Sequence, residues 1–295
     1  EGLTANHIEW IAGIINGTGN FLLTEMRDKG RDFADVLAEA QALGYAEADP
    51  TFDIEGIDAA HKLAILASIA FGIPLQFDKV YTEGISRITR EDVEYAEQLG
   101  YRIKHLGMTR QTAEGIELRV HPTLIPNRRL IANVNGVMNA VLVHADAVGP
   151  TLYYGAGAGA EPTASAVVAD IVDVVRTLTV DPENRVPHLA FQPDSLSDIP
   201  ILSMDEVETA YYLRLCVADR PGVMAELTRI LGDHGISIEA LLQKEPSETG
   251  RQVPVILLTR EIREKHMNKA IQQIESLDSV EGQVTRIRLE HLHSN

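Results

Sequence analysis

The chain is poor in everything that would tie it to a surface, a redox couple or a nucleic acid. It has one cysteine, Cys216, in 295 residues. An internal disulfide is therefore excluded, and a reducing compartment such as the cytoplasm is the expectation. There is one tryptophan, and aromatic residues make up 5% of the chain. Positive charge is scarce too: 26 Lys and Arg stand against 43 Asp and Glu, a net charge of −17. Nucleic acids and anionic membranes select for basic surfaces, so neither is expected as a partner. No apolar run reaches the ~20 residues that a membrane-spanning helix requires. The start, with Glu1, His7 and Glu9, lacks the basic cap and apolar core of a secretion signal. His105, His121 and His144 are scattered without metal-ligand spacing, and no metal site is expected.

What the chain does have is a concentrated run of acid. Five carboxylates, Glu47, Asp49, Asp53, Glu55 and Asp58, precede a single close cation, Lys62. Asp58 and Lys62 are four residues apart, so on a helix they share a face and can pair. Glu47, Asp49 and Asp53 fall in the Pro50-containing loop before that helix. An ammonium held there can polarise a carbonyl and stabilise an oxyanion, while spare carboxylates bind a substrate amine. The same run also reads as a solvated acidic loop. It is not a calcium loop, because the acids do not alternate around a sixth-position glycine with a twelfth-position glutamate.

Around this run the pattern alternates strands with helices. Residues 8 to 15 read as a buried strand, followed by the turn Asn16-Gly17-Thr18-Gly19-Asn20, whose backbone donors and Thr18 hydroxyl can face a ligand. Helices are expected from Phe21 to Lys29 and from Asp32, as N-cap, to Gly44. Ile57 to Phe71 is apolar almost all round and should be a buried helix. Tyr101 to Met108 and Ile116 to Pro122 flank Glu114-Gly115 as a hairpin, and Val137 to His144 and Thr151 to Tyr154 are further strands. Gly155-Ala156-Gly157-Ala158-Gly159 follows a strand and precedes a helix near Pro162. It lacks G-x-G-x-x-G spacing, so it is a weak nucleotide signal by itself. Residues 181 to 206 are Pro-, Ser- and Asp-rich and read as a linker.

The last third reads strand (Tyr211 to Val217), turn (Asp219-Arg220-Pro221-Gly222-Val223), helix (Met224 to Leu231), strand (Ile236 to Gln243), strand (Val253 to Thr259), helix (Ile262 to Leu277) and strand (Val284 to Leu289). That order, βαββαβ, is ferredoxin-like. With the Asp-Arg-Pro-Gly-Val turn it resembles an ACT domain, a module that commonly binds amino acids; a plain dimerisation module is the alternative. The turn places backbone N–H groups of Gly222 and Val223 at a helix start, where a carboxylate can sit near Asp219 and Pro221.

Ile14-Ile15-Asn16-Gly17-Thr18-Gly19-Asn20, Gly44-Tyr45-Ala46-Glu47 with Asp49-Pro50-Thr51, and Gly56-Ile57-Asp58-Ala59-Ala60-His61-Lys62-Leu63 together resemble the catalytic domain of homoserine dehydrogenase. The resemblance implies an α/β (α+β) chain, with a mixed-sheet catalytic and dimerisation domain over residues 1–180, a linker over 181–206 and an ACT domain over 207–295. It implies NADP- or NAD-dependent interconversion of L-aspartate 4-semialdehyde and L-homoserine in a homodimer or homotetramer, with feedback by an amino acid, threonine being the implied effector. Lys62 would face the reacting oxygen and Asp58 would hold it. Glu47 and Asp53 would grip the substrate ammonium, and Tyr45 and Thr18 would line the pocket. Gly155, Gly157, Ala158 and Gly159 would close over the nicotinamide, and Asp219, Pro221, Gly222 and Val223 would seat the effector. The family's Rossmann domain, which carries most cofactor contacts, a further lysine and part of a monovalent-cation site, would precede Glu1. The rival expectation is a non-catalytic amino-acid-binding module.

Overall fold

The computed structural model describes residues 2–178, 180, 187, 190–243 and 252–292. Of the expected linker, residues 181–186, 188 and 189 lie outside the described residues.

The first strand, β1 (Ile8–Ile14), is buried from Trp10 onward. It runs directly into α1 (Gly17–Lys29). The glycine turn expected before Phe21 is therefore the first turn of the helix, because the Asn16 side chain caps it by accepting from Gly19 N at 2.8 Å. α2 (Phe33–Ala42), the one-turn α3 (Thr51–Ile54) and the apolar α4 (Ile57–Phe71) follow. Asp32 stands at the N-cap of α2 but its side chain makes no cap bond. Not anticipated were α3, which the sequence reads as loop, β2 (Tyr81–Thr82) and α5 (Arg90–Gln98), the last opened by a Thr89–Asp92 capping box. The hairpin is β3 (Tyr101–Gln111) and β4 (Ile116–Pro126), and β5 (Met138–Ala145), β6 (Gly149–Ala156) and α6 (Ala160–Leu178) complete this half.

The second half is β7 (Glu208–Ala218), α7 (Val223–Asp233), β8 (Ile238–Gln243), β9 (Gln252–Thr259), the two-residue β10 (Ile262–Arg263), α8 (Glu264–Glu275) and β11 (Val280–Leu289). The helix expected from Ile262 starts two residues later. Ile262 and Arg263 instead pair with Thr209 and Glu208 of β7, which satisfies their backbone groups outside a helix.

One mixed sheet runs through both halves in the order β6-β5-β1-β3-β4-β11-β7-β9-β8. The last four strands, with α7 and α8, are the ferredoxin-like unit. The two halves join where β11 lies parallel to β4, Arg288 opposite Thr123 and Leu289 opposite Leu124. The chain after residue 207 is thus not a module hung on a linker. Strand alternation on β7 shows why it cannot be lifted away cleanly. Tyr211, Leu213, Leu215 and Val217 face Leu227, Ile230, Met267 and Ile274 of α7 and α8. Tyr212, on the opposite face, joins a core with Leu22 and Met26 of α1, Val36 of α2 and Val93 of α5. Around β7 the sheet is covered on both sides, by helices from different halves.

α6 is the exception. Its 19 residues include none that is buried, and Val167, Val168, Ile171, Val172, Val174 and Val175 are all exposed.

Candidate active site

Asn16 is the hub of the acidic cluster. Its amide oxygen caps α1, and its Nδ2 donates to Asp53 Oδ1 at 2.8 Å and to Asp58 Oδ2 at 2.9 Å. One carboxamide thereby fixes the last residue of a strand–helix turn to an acid of α3 and an acid of α4, 37 and 42 residues away. Asp58 Oδ2 also receives Lys62 Nζ at 2.7 Å across one turn of α4. Lys62 Nζ donates a second time, to the Ile15 carbonyl at 3.1 Å. An ammonium has three donors. The third has no acceptor among the described residues, and the side chain is 47% exposed against 23% for Asp58. The cation is held from behind and open in front.

The loop is rigid for reasons that can be named. Asp49 accepts from Thr51 N and Oγ1 at 3.1 and 2.6 Å, which starts α3. Those bonds, the side-chain one first, hold the Asp49 carboxyl below its ordinary range. Gly56 links α3 to α4 with φ +81°, and a Cβ there would meet His105 Cε1 at 2.9 Å. His105 is buried beneath that turn, and its Nε2 donates to the Glu83 carbonyl at 2.9 Å. The tautomer follows, since a carbonyl only accepts. Nδ1 is then an acceptor, and it has no hydrogen-bond partner. Burial pushes the imidazole pKa down, so His105 is neutral.

The other expected residues divide. Thr18 Oγ1 donates to the Tyr45 carbonyl at 2.7 Å, tying α1 to the loop. The Tyr45 ring packs edge-on against Phe21 and stays exposed. Glu47 is exposed, and its carboxylate makes no hydrogen bond or ion pair among the described residues. Its position is set by the backbone, where its carbonyl accepts from Gln41 Nε2. Gly155 is a half-buried residue of β6 opposite Asn139 of β5, and Gly157, Ala158 and Gly159 form an exposed turn between β6 and α6. No heavy atom outside the neighbouring residues lies within 4 Å of a Cβ placed on Gly155, and Gly159 has φ +119°. A Cβ on Gly157 would fall 2.0 Å from Asn139 Nδ2, so the turn lies directly against the Asn139 side chain. Asp219, Pro221 and Gly222 lie on an exposed turn with Gly222 at φ +97°, whereas the Val223 side chain is part of the core under α7.

The histidines without ligand spacing are structural. His121 Nε2 accepts from Arg119 Nη1 at 2.8 Å inside the sheet. His144 stacks on Trp10 at 5.2 Å and lies 2.8 Å from Glu9. Asn16 was missed as a site residue, although its position had a signal: an Asn between a buried strand and Gly-x-Gly is an N-cap, and five acids need a donor.

Comparison with known proteins agrees with this geometry. A family model described as homoserine dehydrogenase matches residues 1–172, and an ACT-domain model matches residues 211–276. The homoserine dehydrogenase of Pseudomonas aeruginosa is 69% identical over 293 residues, covering 99% of this chain and 68% of that protein. That of Helicobacter pylori is 44% identical, covering 99% and 67%. The crystal structure of a homoserine dehydrogenase from Thiobacillus denitrificans superposes with a TM-score of 0.94 at 71% identity, covering 99% of this chain and 66% of that one. The chain thus spans about two thirds of the length of these relatives. With the Asn16–Asp58–Lys62 arrangement inside the first match and the βαββαβ unit around the second, the chain belongs to the homoserine dehydrogenase family.

Proposed function

We propose that the whole protein interconverts L-aspartate 4-semialdehyde and L-homoserine with NADP or NAD, and that amino acids regulate it through the ACT domain. The observation that carries the reading is the third, unused donor of Lys62. A carbonyl oxygen placed against it meets a preorganised ammonium whose other two donors are fixed on Asp58 and Ile15. As that oxygen becomes an alkoxide, Lys62 stabilises the charge and can pass it a proton. When bound, the nicotinamide supplies or accepts the hydride. Asp58 positions Lys62, and Asn16 positions Asp58 and Asp53 together. The free oxygen of Asp53 and the exposed Glu47 carboxylate suit the substrate ammonium. Thr18 and Tyr45 close the side of the pocket, and the Gly155–Gly159 turn is suited to the nicotinamide end of the cofactor.

The test is NADP- or NAD-linked oxidation of homoserine by the whole protein, wild type and Asp53→Asn. Homoserine oxidation is expected, with the KM for homoserine raised at least about tenfold in the variant, the scale of 1.4 kcal/mol. The KM for the cofactor should stay unchanged. Equal losses for substrate and cofactor would make Asp53 a loop-building residue, and absent turnover would favour the non-catalytic, amino-acid-binding reading.

A further inference from the structure

Among the described residues, one buried polar atom without a hydrogen-bond partner stands between the two turns of the candidate site. It is Oδ1 of Asn139. Asn139 lies on β5, and its neighbour Ala140 pairs with Ile14 of β1. Strand alternation puts Asn139 on the face of Val141, which packs against the core of Ile15 and Leu63. Ile15 is also the residue whose carbonyl holds Lys62. Two glycines press on the Asn139 carboxamide. A Cβ on Gly157 would fall 2.0 Å from Nδ2 and 3.3 Å from Oδ1. One on Gly17 would lie 3.7 Å from Oδ1 and 2.9 Å from the Val137 carbonyl. The carboxamide thus sits between the turn that opens α1, beside the Lys62 cluster, and the turn that precedes α6. Oδ1 accepts no hydrogen bond, and Nδ2 donates none among the described residues. Turning the amide over would orphan its NH2 end in the same place.

The lack of partners is not slack. Asn20 Nδ2 reaches the carbonyls of Val134, Gly136 and Met138 at 3.1, 3.0 and 3.0 Å. Asn20 Oδ1 in turn accepts from the buried Lys104 at 3.0 Å. The backbone leading into Asn139 is pinned from below. A side chain held this firmly, with both hydrogen-bonding ends unused, is placed for a ligand. Its chemistry selects which one. A carboxamide offers a donor and an acceptor side by side, and the group that answers both at once is another carboxamide. A carboxylate answers only the donor, and an ammonium only the acceptor. Because both neighbours are glycines, no side chain has to move aside for a flat ring. Only the exposed turn at residues 157–159 has to shift.

We propose that Asn139 is a cofactor-binding residue that pairs, amide to amide, with the carboxamide of the nicotinamide ring and fixes the ring between the Gly17 and Gly157 turns. The proposal rests on the dehydrogenase reading of the whole protein, and its test is equilibrium binding, which requires no turnover. The ligands are NADPH and NADH, their 3-acetylpyridine analogues, in which a methyl replaces the amide NH2, and the matching ADP-ribose fragments, which end before the ring. The parent should bind the better dinucleotide at least about tenfold more tightly than its acetylpyridine analogue. Asn139→Ala and the near-isosteric Asn139→Leu should each weaken that dinucleotide at least about tenfold and narrow its advantage over the analogue to less than about twofold. Both variants should bind the ADP-ribose fragment as the parent does. A melting transition like that of the parent establishes that each variant is folded. Equal weakening of dinucleotide and fragment would make Asn139 a structural residue and overturns the proposal. So does an undiminished preference for the carboxamide in the variants. A parent indifferent to the acetylpyridine change overturns it with no variant needed. Homoserine oxidation by the parent in any of these cases leaves the dehydrogenase reading standing. A parent that binds neither dinucleotide sinks both.

Discussion

Two clusters in this chain gather carboxylates around a cation, and they differ in what is left over. At the join between β4 and β11, Arg119 bonds Glu117 and Glu290 at 2.8 and 2.6 Å. Nearby, Arg288 bonds Glu264 through Nε at 2.7 Å and Glu83 at 2.7 Å, with the Tyr81 hydroxyl at 3.0 Å. Both guanidinium side chains are at most 1% exposed. At the acidic loop, Lys62 has one carboxylate, one carbonyl and an open third direction. Carboxylates around a cation thus make a closed structural joint in one place and an open chemical site in the other. Satisfaction and exposure separate the roles, together with the choice of a five-donor arginine at the joint and a three-donor lysine at the site.

The contrast predicts opposite sensitivities. The largest effect belongs to the joint. Arg288→Ala strands Glu264 and Glu83 without their buried partner and should cost about 3–5 kcal/mol, the scale for breaking a buried pair. Because the sheet is continuous, urea unfolding should show both halves lost in one transition. Two separate transitions would mean that the joint does not couple them. The acid limb has a definite sign. Burial opposes ionisation of Glu83 and Glu290, but Arg288 and Arg119 outweigh it and hold both carboxyls below their ordinary range. Their contribution is present above the unfolded carboxyl pKa and is lost as the pH falls below it through the folded values.

Lys62 comes next and should reverse the pattern. Lys62→Ala in the whole protein should lower kcat by ~10²–10³-fold, about 2.7–4 kcal/mol of transition-state stabilisation. Its stability should change by no more than about 0.5 kcal/mol, since an exposed i,i+4 pair is worth little. A variant that keeps a tenth of the parent's kcat, or melts well below it, would erase the distinction between joint and site.

A third cation, Lys104, sharpens the comparison through a slope with pH rather than a loss, because no carboxylate is hydrogen-bonded to it. It is 1% exposed, and Nζ donates to Asn20 Oδ1 at 3.0 Å and to the Val134 carbonyl at 2.5 Å. Burial, with Arg27 and Arg102 adding to it, pushes its pKa down to about 7. In the unfolded chain a lysine titrates near 10.4. Between those values the unfolded state holds the extra proton, so stability rises with pH. The slope from this one group is at most about 1.4 kcal/mol per pH unit. Lys104→Met should flatten that rise in melting experiments between pH 7 and 10. An unchanged slope would show that Lys104 keeps its proton despite its surroundings.

Much of the architecture was legible before any coordinates. α4 runs over the residues its apolar pattern marks, and the β3–β4 hairpin turns where Glu114-Gly115 does. The βαββαβ order is present, and Asp58 and Lys62 are paired. α5 was overlooked because its mean composition is polar and only Val93, Tyr95, Ala96 and the capping Asp92 are buried. β2 is two residues long and has no period to read.

What the sequence by itself determined is local: periods of 2 and 3.6, caps, turn glycines, and which side chains one turn of helix brings together. Those follow from neighbours within a few residues, so they survive without knowledge of the rest. Only the tertiary structure decided that β11 would dock on β4, because backbone pairing between two sheet edges leaves little mark in either strand. That docking buries Arg119 and Arg288, which on sequence alone are ordinary polar positions of alternating strands. It likewise decided that Asn16 would meet Asp53 and Asp58 across about forty residues, since a carboxamide's partners are set by where the backbone carries it. The acids and the lysine were written in the chain; the third, unused donor on Lys62 exists only because the fold occupies the other two.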